Sequence, residues 1–263
     1  AAARLAAARR RLGRFDVVHA HFGLSAWVAL PADADVRAVT FHGTDLSHPR
    51  SRRISLAALK FVDLPAVASD GLAATIPAAS CRRPVETLPC GIALDRFAPD
   101  DRDAARSRLG LPLGDRVILL PSDPARPEKR HDRAVQLADS LGARLVSLGG
   151  VPPSRVPDFV NAADIVAIPS DREGFGLALL EALACDRPVI STPNGIAVEA
   201  LEGIEGSLSA EWDLERWSTH ARAVIDAPAR TGDGRSRERA SRWSSDACAR
   251  RVIDVWSSAL EDA

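Results

Sequence analysis

The chain has 263 residues, of which 46% are hydrophobic and 26% are charged, and its formal net charge is −1. This composition is typical of a globular protein with one or two domains, and it argues against a basic surface for nucleic acid over the whole chain. The four cysteines are scattered, which argues against a zinc site or a disulfide framework and favours a reducing cytosol. No apolar run reaches the roughly 18 residues that a transmembrane helix needs.

Short apolar runs alternate with helical patterns along the chain. Predicted strands, some with the loop that follows, lie at 15–23, 36–45, 62–69, 84–89, 116–123, 143–150, 164–171 and 187–195. Such alternation predicts parallel sheets in doubly wound α/β domains.

A strand-free segment at 90–115 divides these strands into two series. It is rich in charged residues, proline and glycine, and carries one short helical pattern at about 101–109. We therefore predict a first Rossmann-like domain at 1–98, a linker at 99–112, a second Rossmann-like domain at 113–245 and a C-terminal helix at 246–263. That helix is free to pack on either domain, so a return to the first domain is one of two arrangements left open.

Polar residues directly follow many of the predicted strands. They are His19, His21, His42, Asp45, Asp123, Arg126, Lys129, Asp171 and Glu173. Open parallel sheets bind ligands outside the carboxyl ends of their strands, so these residues are expected along one edge of each sheet. If the two sheets face one another, that edge becomes a cleft between the domains.

The stretch "DREGFGLALLEALACDRPV" at 171–189 places two glutamates around an apolar segment. We predict a helix that begins near Phe175 or Gly176, and its N-terminus favours an anion such as a diphosphate. Gly174 and Gly176 allow the backbone to approach a ligand closely. Glu173 and Glu181 lie about 12 Å apart along such a helix, which suits the hydroxyls at the two ends of a nucleotide sugar. The alternative is a helix-terminal charge at Glu173 and a solvated helix residue at Glu181.

Basic residues and histidines follow other strands. Arg126, Lys129 and Arg130 lie where a helix begins after 116–123, and they are interpreted as diphosphate-binding cations or as a solvated basic helix start. His42 is interpreted as a group that donates to a sugar hydroxyl or moves a proton, or as a hydrogen-bonded loop histidine. For His19 and His21 we expect side chains that point opposite ways, with one of the two structural. Two histidines without a third ligand predict no metal site.

Several segments together resemble a known family. The segment "REGFGLALLEALACDRPVISTPNG" resembles the E-x7-E region of retaining GT-B glycosyltransferases of family 4, the glycosyl transferases group 1. Four further segments resemble other landmarks of this family, in the expected order. They are "FDVVHAHFG", "TFHGTDL", "LPCGIALDRFAP" and "PARPEKR". The match extends over about residues 14–200. The resemblance implies an α/β fold of GT-B type, with two Rossmann-like domains across a cleft. We expect the N-terminal domain to lack its first β-α unit.

The resemblance also implies an activity. It implies a retaining hexosyltransferase that uses a nucleotide-diphosphate sugar and acts on a glycan, lipid or small-molecule acceptor, without a metal or other cofactor and without nucleic acid. A cytoplasmic protein is expected. The basic N-terminal segment has two interpretations: it contacts a membrane surface, or it is the solvated face of a helix. The landmarks are also compatible with a non-catalytic nucleotide-sugar-binding or interaction module and with a sugar-nucleotide epimerase.

Residue roles follow from the resemblance position by position. His42 and Glu173 are the expected catalytic residues, and His19, His21 and Asp45 are expected on the acceptor side. The expected donor-binding residues are Arg126, Lys129, Glu173, Gly174, Phe175, Gly176, Leu177 and Glu181. Three positions depart from the family pattern. Pro124 stands where an arginine is usual, with Arg126 as the hypothetical substitute. In "PCGIAL", which corresponds to the family's P-N-G-V-D, Cys90 stands for asparagine and Ala93 precedes Leu94.

Overall fold

The computed structural model describes residues 2–227 and 234–263. Residue 1 and residues 228–233, which fall within our predicted domains, lie outside the described residues. The chain divides into two compact units, one formed by Ala1–Cys90 with Asp246–Ala263 and the other by Gly91–Ser245.

Strands and helices alternate through both units. The strands are β1 Phe15–His21, β2 Ala34–Phe41, β3 Leu64–Val67, β4 Glu86–Thr87, β5 Val117–Leu120, β6 Arg144–Ser147, β7 Ile165–Ile168, β8 Val189–Ser191 and β9 Leu208–Ser209. The α-helices are α1 Ala2–Leu12, α2 Gly23–Ala29, α3 Thr44–Ser47, α4 Pro49–Ala58, α5 Asp70–Ala73, α6 Arg102–Leu109, α7 His131–Leu141, α8 Val156–Ala162, α9 Leu177–Ala184, α10 Ala197–Leu201, α11 Leu214–Ile225, α12 Arg235–Ser241 and α13 Ser245–Glu261. Single 3-10 turns lie at Leu59–Phe61, Ala78–Ser80, Pro127–Lys129 and Pro153–Arg155.

The first sheet has the order β1-β2-β3-β4, and all its strand pairs are parallel. Side chains of a strand alternate between the two faces. Accordingly, Val39 and Phe41 of β2 pack in the core cluster with residues of α2 and of the end of α4. Val36 and Ala38 belong to a second cluster with Val255 of α13. The C-terminal helix thus covers the second face, and a sheet covered on both faces requires the continuous apolar strands that the sequence shows.

The second sheet has the order β6-β5-β7-β8-β9 and is also parallel throughout its strand pairs. Its core joins Ile118, Ile165 and Ile190 of three strands to Leu137 of α7 and Trp217 of α11. The strand order reverses between β5 and β7, because β6 lies on one side of β5 and the rest of the sheet lies on the other. Parallel sheets bind ligands at such a switch point, outside the carboxyl ends of the strands.

These two sheets confirm the predicted α/β class with parallel sheets. Most strands lie within their predicted ranges, but β9 has two residues, Leu208 and Ser209, and was not predicted. Within the described residues, no helix combines the length and the apolar character needed to cross a membrane.

Candidate functional site

The first candidate site lies at the switch point of the second sheet. Lys129 follows β5 and Glu173 follows β7, and these two strands are neighbours. The Nζ atom of Lys129 donates to both Oε atoms of Glu173, each at 2.7 Å. The two side chains are 14% and 15% exposed, so their charges compensate one another in a largely desolvated setting. At this edge of the sheet a cation and a carboxylate are therefore in contact, and a zwitterionic or diphosphate-sugar ligand would need both kinds of group.

The loop between Glu173 and α9 is held by backbone contacts. Gly176 is the N-cap of α9 with φ of 117°, a conformation that favours glycine. The buried Phe175 accepts a 2.8 Å hydrogen bond at its carbonyl oxygen from the backbone N–H of Ile196. Gly195 has φ of +60°, and a Cβ there would lie 2.1 Å from that same oxygen. The segment 173–176, which includes Gly174, is therefore fixed against the loop after β8, and Leu177 starts a helix whose first N–H groups have no intrahelical acceptor.

The loop after β8 supplies a second set of contacts that the sequence analysis did not single out. The Asn194 side chain donates from Nδ2 to the carbonyl oxygen of Ser170 at 2.9 Å, and Thr192 donates from Oγ1 to the same oxygen at 2.6 Å. Both residues stand in the "STPNG" segment at the end of β8. A turn sequence directly after a strand was the signal that could have identified them.

Glu181 lies in the interior of α9, between the buried residues Leu180 and Ala182. Burial raises the pKa of its carboxyl group to about 7, and the positive charge of Arg96 opposes that shift only in part. The pKa therefore falls near neutral pH, where a hydrogen-bond donor from a ligand would favour the ionised form.

The predicted cations of this edge have different partners. Arg126 is exposed and donates to Oε1 of Glu128 from Nε at 2.9 Å and from Nη2 at 2.6 Å. Arg130 forms ion pairs with Asp132 and with Asp171. Among Arg126, Lys129 and Arg130, it is Lys129 that forms the ion pair with Glu173.

The first unit carries a cluster of histidines at the carboxyl end of its sheet. Nδ1 of His21 lies 3.0 Å from Nε2 of His42, and Nδ1 of His42 lies 3.7 Å from Sγ of Cys90. The rings of His19 and His21 stack with centroids 4.8 Å apart and planes inclined by 14°. Our expectation that His19 and His21 point opposite ways was wrong, because residues two apart on a strand share a face. Burial, followed by the neighbouring His21, lowers the pKa of His42.

His19 is bound within the protein at both ring nitrogens. Nε1–H of Trp256 donates to Nδ1 of His19 at 3.2 Å, and Nε2 of His19 lies 2.8 Å from Oγ1 of Thr40. Since Nδ1 accepts, the ring proton of the neutral form belongs on Nε2, which then donates to Thr40. Burial, together with the charges of His21 and His42, lowers the pKa of His19 to about 4. The exposed His21 and the half-buried His42 are therefore the members of this cluster that are more open to a ligand.

Asp45, predicted on the acceptor side, is buried and bonds to backbone groups. Its Oδ1 atom accepts from the N–H groups of His42 at 3.2 Å and Gly43 at 3.0 Å, and Oδ2 accepts from the N–H of Gly23 at 2.9 Å. These bonds join the loop after β1 to the loop after β2. Asp45 thereby fixes the backbone of His42, which makes it a positioning residue in this structure.

The part of the chain that the structure describes contains no group of three or more His, Cys, Asp or Glu side chains arranged to hold a metal ion. The histidine cluster contributes ring nitrogens to hydrogen bonds within the protein, and the carboxylate at the switch point is paired with Lys129. The candidate site of the second unit is thus described by the Lys129 ammonium group, the Glu173 carboxylate and the N-terminus of α9.

Comparison with known proteins decides the family. Residues 116–227 match the family described as Glycosyl transferases group 1, and residues 1–96 match Glycosyltransferase Family 4. A D-inositol 3-phosphate glycosyltransferase of Saccharomonospora viridis is 30% identical over an alignment that covers 94% of this chain and 71% of that protein. The chain belongs to glycosyltransferase family 4.

Two more curated relatives carry the same name. D-inositol 3-phosphate glycosyltransferase 2 of Catenulispora acidiphila is 31% identical, with 68% of this chain and 51% of the relative covered. The enzyme of that name from Rhodococcus opacus is 29% identical, with 85% and 62% covered. The chain thus spans between about half and two thirds of the length of these two relatives.

Solved structures of low sequence identity share the fold. The Anabaena protein HepE in complex with UDP-glucose superposes with a TM-score of 0.75 at 18% identity, covering 98% of this chain and 81% of that one. Sucrose-phosphate synthase from Thermosynechococcus elongatus gives 0.74 at 20% identity, covering 100% and 78%. These similarities confirm the GT-B fold that the sequence landmarks implied.

Proposed function

We propose that this chain transfers a hexosyl group, with retention of configuration, from a nucleotide-diphosphate sugar to an acceptor. The observation that carries the proposal is the Lys129–Glu173 ion pair at the switch point of the second sheet, 2.7 Å from nitrogen to both oxygens, beside the N-terminus of α9. Membership of glycosyltransferase family 4 supports the reaction class.

The donor's diphosphate is assigned to Lys129 and the N-terminus of α9. The Lys129 ammonium group is a compact charge that neutralises a phosphate, and the first N–H groups of α9 at Leu177 add donors and the positive end of the helix dipole. The donor role of the exposed Arg126 stays a prediction. Its bond to Glu128 would have to open first.

The sugar and the ribose of the donor are assigned to the two glutamates. Glu173 accepts hydrogen bonds from sugar hydroxyls once Lys129 turns to the diphosphate, and charge-assisted bonds of this kind are the stronger ones. Glu181 accepts from the ribose diol in its ionised form. The fixed backbone of Gly174, Phe175 and Gly176 places these contacts at defined positions.

The transfer breaks the bond between the anomeric carbon and the leaving phosphate oxygen, and forms a bond from that carbon to the acceptor oxygen on the same face. The acceptor hydroxyl proton passes to the leaving diphosphate, so the step is balanced without a metal or cofactor. Lys129 stabilises the negative charge that develops on the leaving group. Catalytic roles are assigned to Glu173 and to His42, whose backbone Asp45 fixes. His21 is assigned to the acceptor side, with His19 as its stacked neighbour.

The acceptor is the part of the proposal that needs a direct search. Because the curated relatives are named D-inositol 3-phosphate glycosyltransferases, D-inositol 3-phosphate is the first acceptor to assay. Glycans, lipids and other small molecules follow. We expect the reaction in a reducing cytoplasm, with which the four free cysteines are consistent.

The test is calorimetric titration of the chain with UDP-, GDP- and ADP-sugars, followed by an assay of transfer to the candidate acceptors. We expect one donor to bind and both Glu173→Gln and Glu181→Gln to weaken its binding. Glu199→Gln, at an exposed position of α10, is the matched control and should bind like the unaltered chain. A folded chain that binds none of the donors contradicts the proposal. Donor binding without transfer to any acceptor favours a non-catalytic nucleotide-sugar-binding module.

A further inference from the structure

Four large apolar side chains form an exposed surface on the first unit. They are Leu24, Trp27, Ile54 and Phe61, each between 42% and 55% exposed. The Trp27 and Phe61 ring centroids lie 6.2 Å apart, and the Trp27 indole bonds to the backbone of Ile54. Leu24 lies one turn before Trp27 on the same face of α2. This set is contiguous, and exposed apolar clusters of this kind on a monomer mark sites of interaction.

Basic side chains adjoin this apolar set. Arg50, Arg53 and Lys60 are exposed, and they recur with Ile54 and Phe61 along the outer stripe of α4 and the 3-10 turn that continues it. Residues 22–32 and 46–62, which carry these side chains, contain no aspartate or glutamate. Among the residues that the structure describes, none of these three cations has an acidic partner within 4 Å. We call the seven side chains the basic-aromatic face.

The indole of Trp27 is already satisfied as a hydrogen-bond donor. Its Nε1–H donates to the carbonyl oxygen of Ile54 at 3.0 Å. A tryptophan with a satisfied N–H can enter an apolar medium without the cost of an unpaired polar group. Trp27 and Phe61 can therefore leave water together, while the long side chains of Arg50, Arg53 and Lys60 reach charged groups at the boundary.

We propose that the basic-aromatic face is a docking surface for an anionic phospholipid bilayer. The apolar residues enter the boundary between headgroups and acyl chains, and the cations contact lipid phosphates. The charge of the face argues for this occupant, because a surface with only positive charges is complementary to a negative one. The chain would then act at the membrane surface without spanning it.

A second copy of the chain is a poorer occupant of the same face. A two-fold contact brings the same patch of each copy together, so the cations of the basic-aromatic face of one copy would lie opposite those of the other. Like charges brought together in a desolvated contact are unfavourable. Self-association through this face is therefore an outcome that the test must distinguish.

The test is co-sedimentation of the chain with vesicles. One set contains phosphatidylglycerol and phosphatidylcholine in equal amounts, and the other contains phosphatidylcholine alone. We expect binding to the anionic vesicles, weaker binding to the neutral ones, and weaker binding as salt rises. The charge-reversed variant Arg50→Glu/Arg53→Glu and the apolar-loss variant Ile54→Ser/Phe61→Ser should each reduce the bound fraction, the first by about tenfold or more.

The control carries one change of each kind on another surface of the same unit. Arg250→Glu/Ile253→Ser alters an exposed arginine and an exposed isoleucine of α13, and it should bind vesicles like the unaltered chain. All variants are compared by circular dichroism and thermal unfolding, so that loss of fold is separated from loss of contact. Equal binding to both vesicle types, equal effects of test and control variants, or no vesicle binding would each overturn the proposal. A dimer in sedimentation velocity that Ile54→Ser/Phe61→Ser abolishes, without vesicle binding, would assign the face to a second copy.

Discussion

Lys129 and Glu173 are joined by a salt bridge in which one nitrogen contacts two oxygens, although they follow different strands of the second sheet. The pair spans the switch point between β5 and β7. In the proposed function each residue has another partner, a diphosphate for the lysine and sugar hydroxyls for the glutamate. Donor binding would then replace one contact within the protein by two contacts with the ligand.

A double-mutant cycle tests this exchange. We expect Lys129→Gln and Glu173→Gln each to lower the free energy of unfolding by about 1 kcal/mol, because each leaves a largely buried charge without its partner. The double variant should regain most of that loss, since neither charge remains. All three variants should lose donor affinity by about tenfold or more, because each lacks a charged contact. Urea unfolding and calorimetric titration measure the two effects.

Arg144→Gln serves as the control for stability. Arg144 pairs with Asp115 at an exposed place, and removing such a pair changes the free energy of unfolding by less than about 1 kcal/mol. Donor affinity should be unchanged in this variant. If the three variants at Lys129 and Glu173 bound the donor as tightly as Arg144→Gln does, the switch-point pair would have no part in donor binding.

The pKa of Glu181 predicts a pH dependence of stability. Burial raises this pKa from its usual 4.5 to about 7, so the folded state disfavours the ionised carboxylate. The resulting penalty is absent below the unfolded pKa, grows as pH rises, and is complete above the folded pKa. Glu181→Gln carries no charge and should therefore gain stability relative to the unaltered chain by about 2 to 3 kcal/mol between pH 5 and pH 8. Urea unfolding at the two pH values measures this difference.

Binding of the donor should depend on the ionisation of Glu181. A ribose diol that donates to the ionised carboxylate lowers the pKa of Glu181, so donor affinity should rise between pH 6 and pH 8 in the unaltered chain. In Glu181→Gln this rise should be absent. A stability difference that stays constant from pH 5 to pH 8 would show that the Glu181 carboxyl titrates at its usual pH and is solvated.

The fold was largely predictable because its signals are local. Apolar runs such as 117–120 and 165–168 identify buried strands, and "LALLEALA" identifies α9. The two-residue β9 was missed, since two residues give no periodicity. The packing of α13 on the first sheet does not follow from the sequence, because the pattern of one helix does not say which sheet it covers.

The sequence indicates candidate residues for the site but not the contacts among them. Strand-end positions drew attention to Lys129, Glu173 and His42, because ligands bind at the carboxyl ends of parallel strands. That Lys129 pairs with Glu173 depends on the strand order, which places β5 beside β7. That Asp45 bonds to three backbone N–H groups depends on the paths of two loops. One sequence specifies neither.

The tautomer and pKa of His19 make a third prediction. Burial, then His21 and His42, lower the pKa from 6.5 to about 4, so His19 is neutral at pH 6 with its proton on Nε2. Because the folded state disfavours the protonated ring of His19, the free energy of unfolding should fall as pH falls from 6.5 to 4. Nitrogen-detected two-dimensional NMR should show a single Nε2–H tautomer that does not titrate between pH 8 and pH 5. A His19→Gln variant assigns the signal.

Trp256→Phe tests the cause of that tautomer. It keeps an aromatic ring beside His19 but removes the N–H that donates to Nδ1. The Nδ1–H tautomer should then become populated, because Nδ1 no longer has a donor to accept from. A signal that titrates near pH 6.5 in the unaltered chain, or a tautomer that Trp256→Phe does not alter, would contradict the arrangement at His19.

The contact between Gly195 and Phe175 gives the last prediction. In Gly195→Ala the new Cβ would lie 2.1 Å from the Phe175 carbonyl oxygen, and φ of +60° adds backbone strain. The loop that carries Glu173 must shift, so we expect a loss of about 2 kcal/mol or more in the free energy of unfolding and weaker donor binding. Gly203→Ala is the matched control, since its φ is +68° but a Cβ there meets nothing within 4 Å. Strain alone predicts a loss of about 1 kcal/mol and unchanged donor affinity for this control. Equal losses of stability and affinity in both variants would mean that backbone strain, and not the close approach to Phe175, governs this loop.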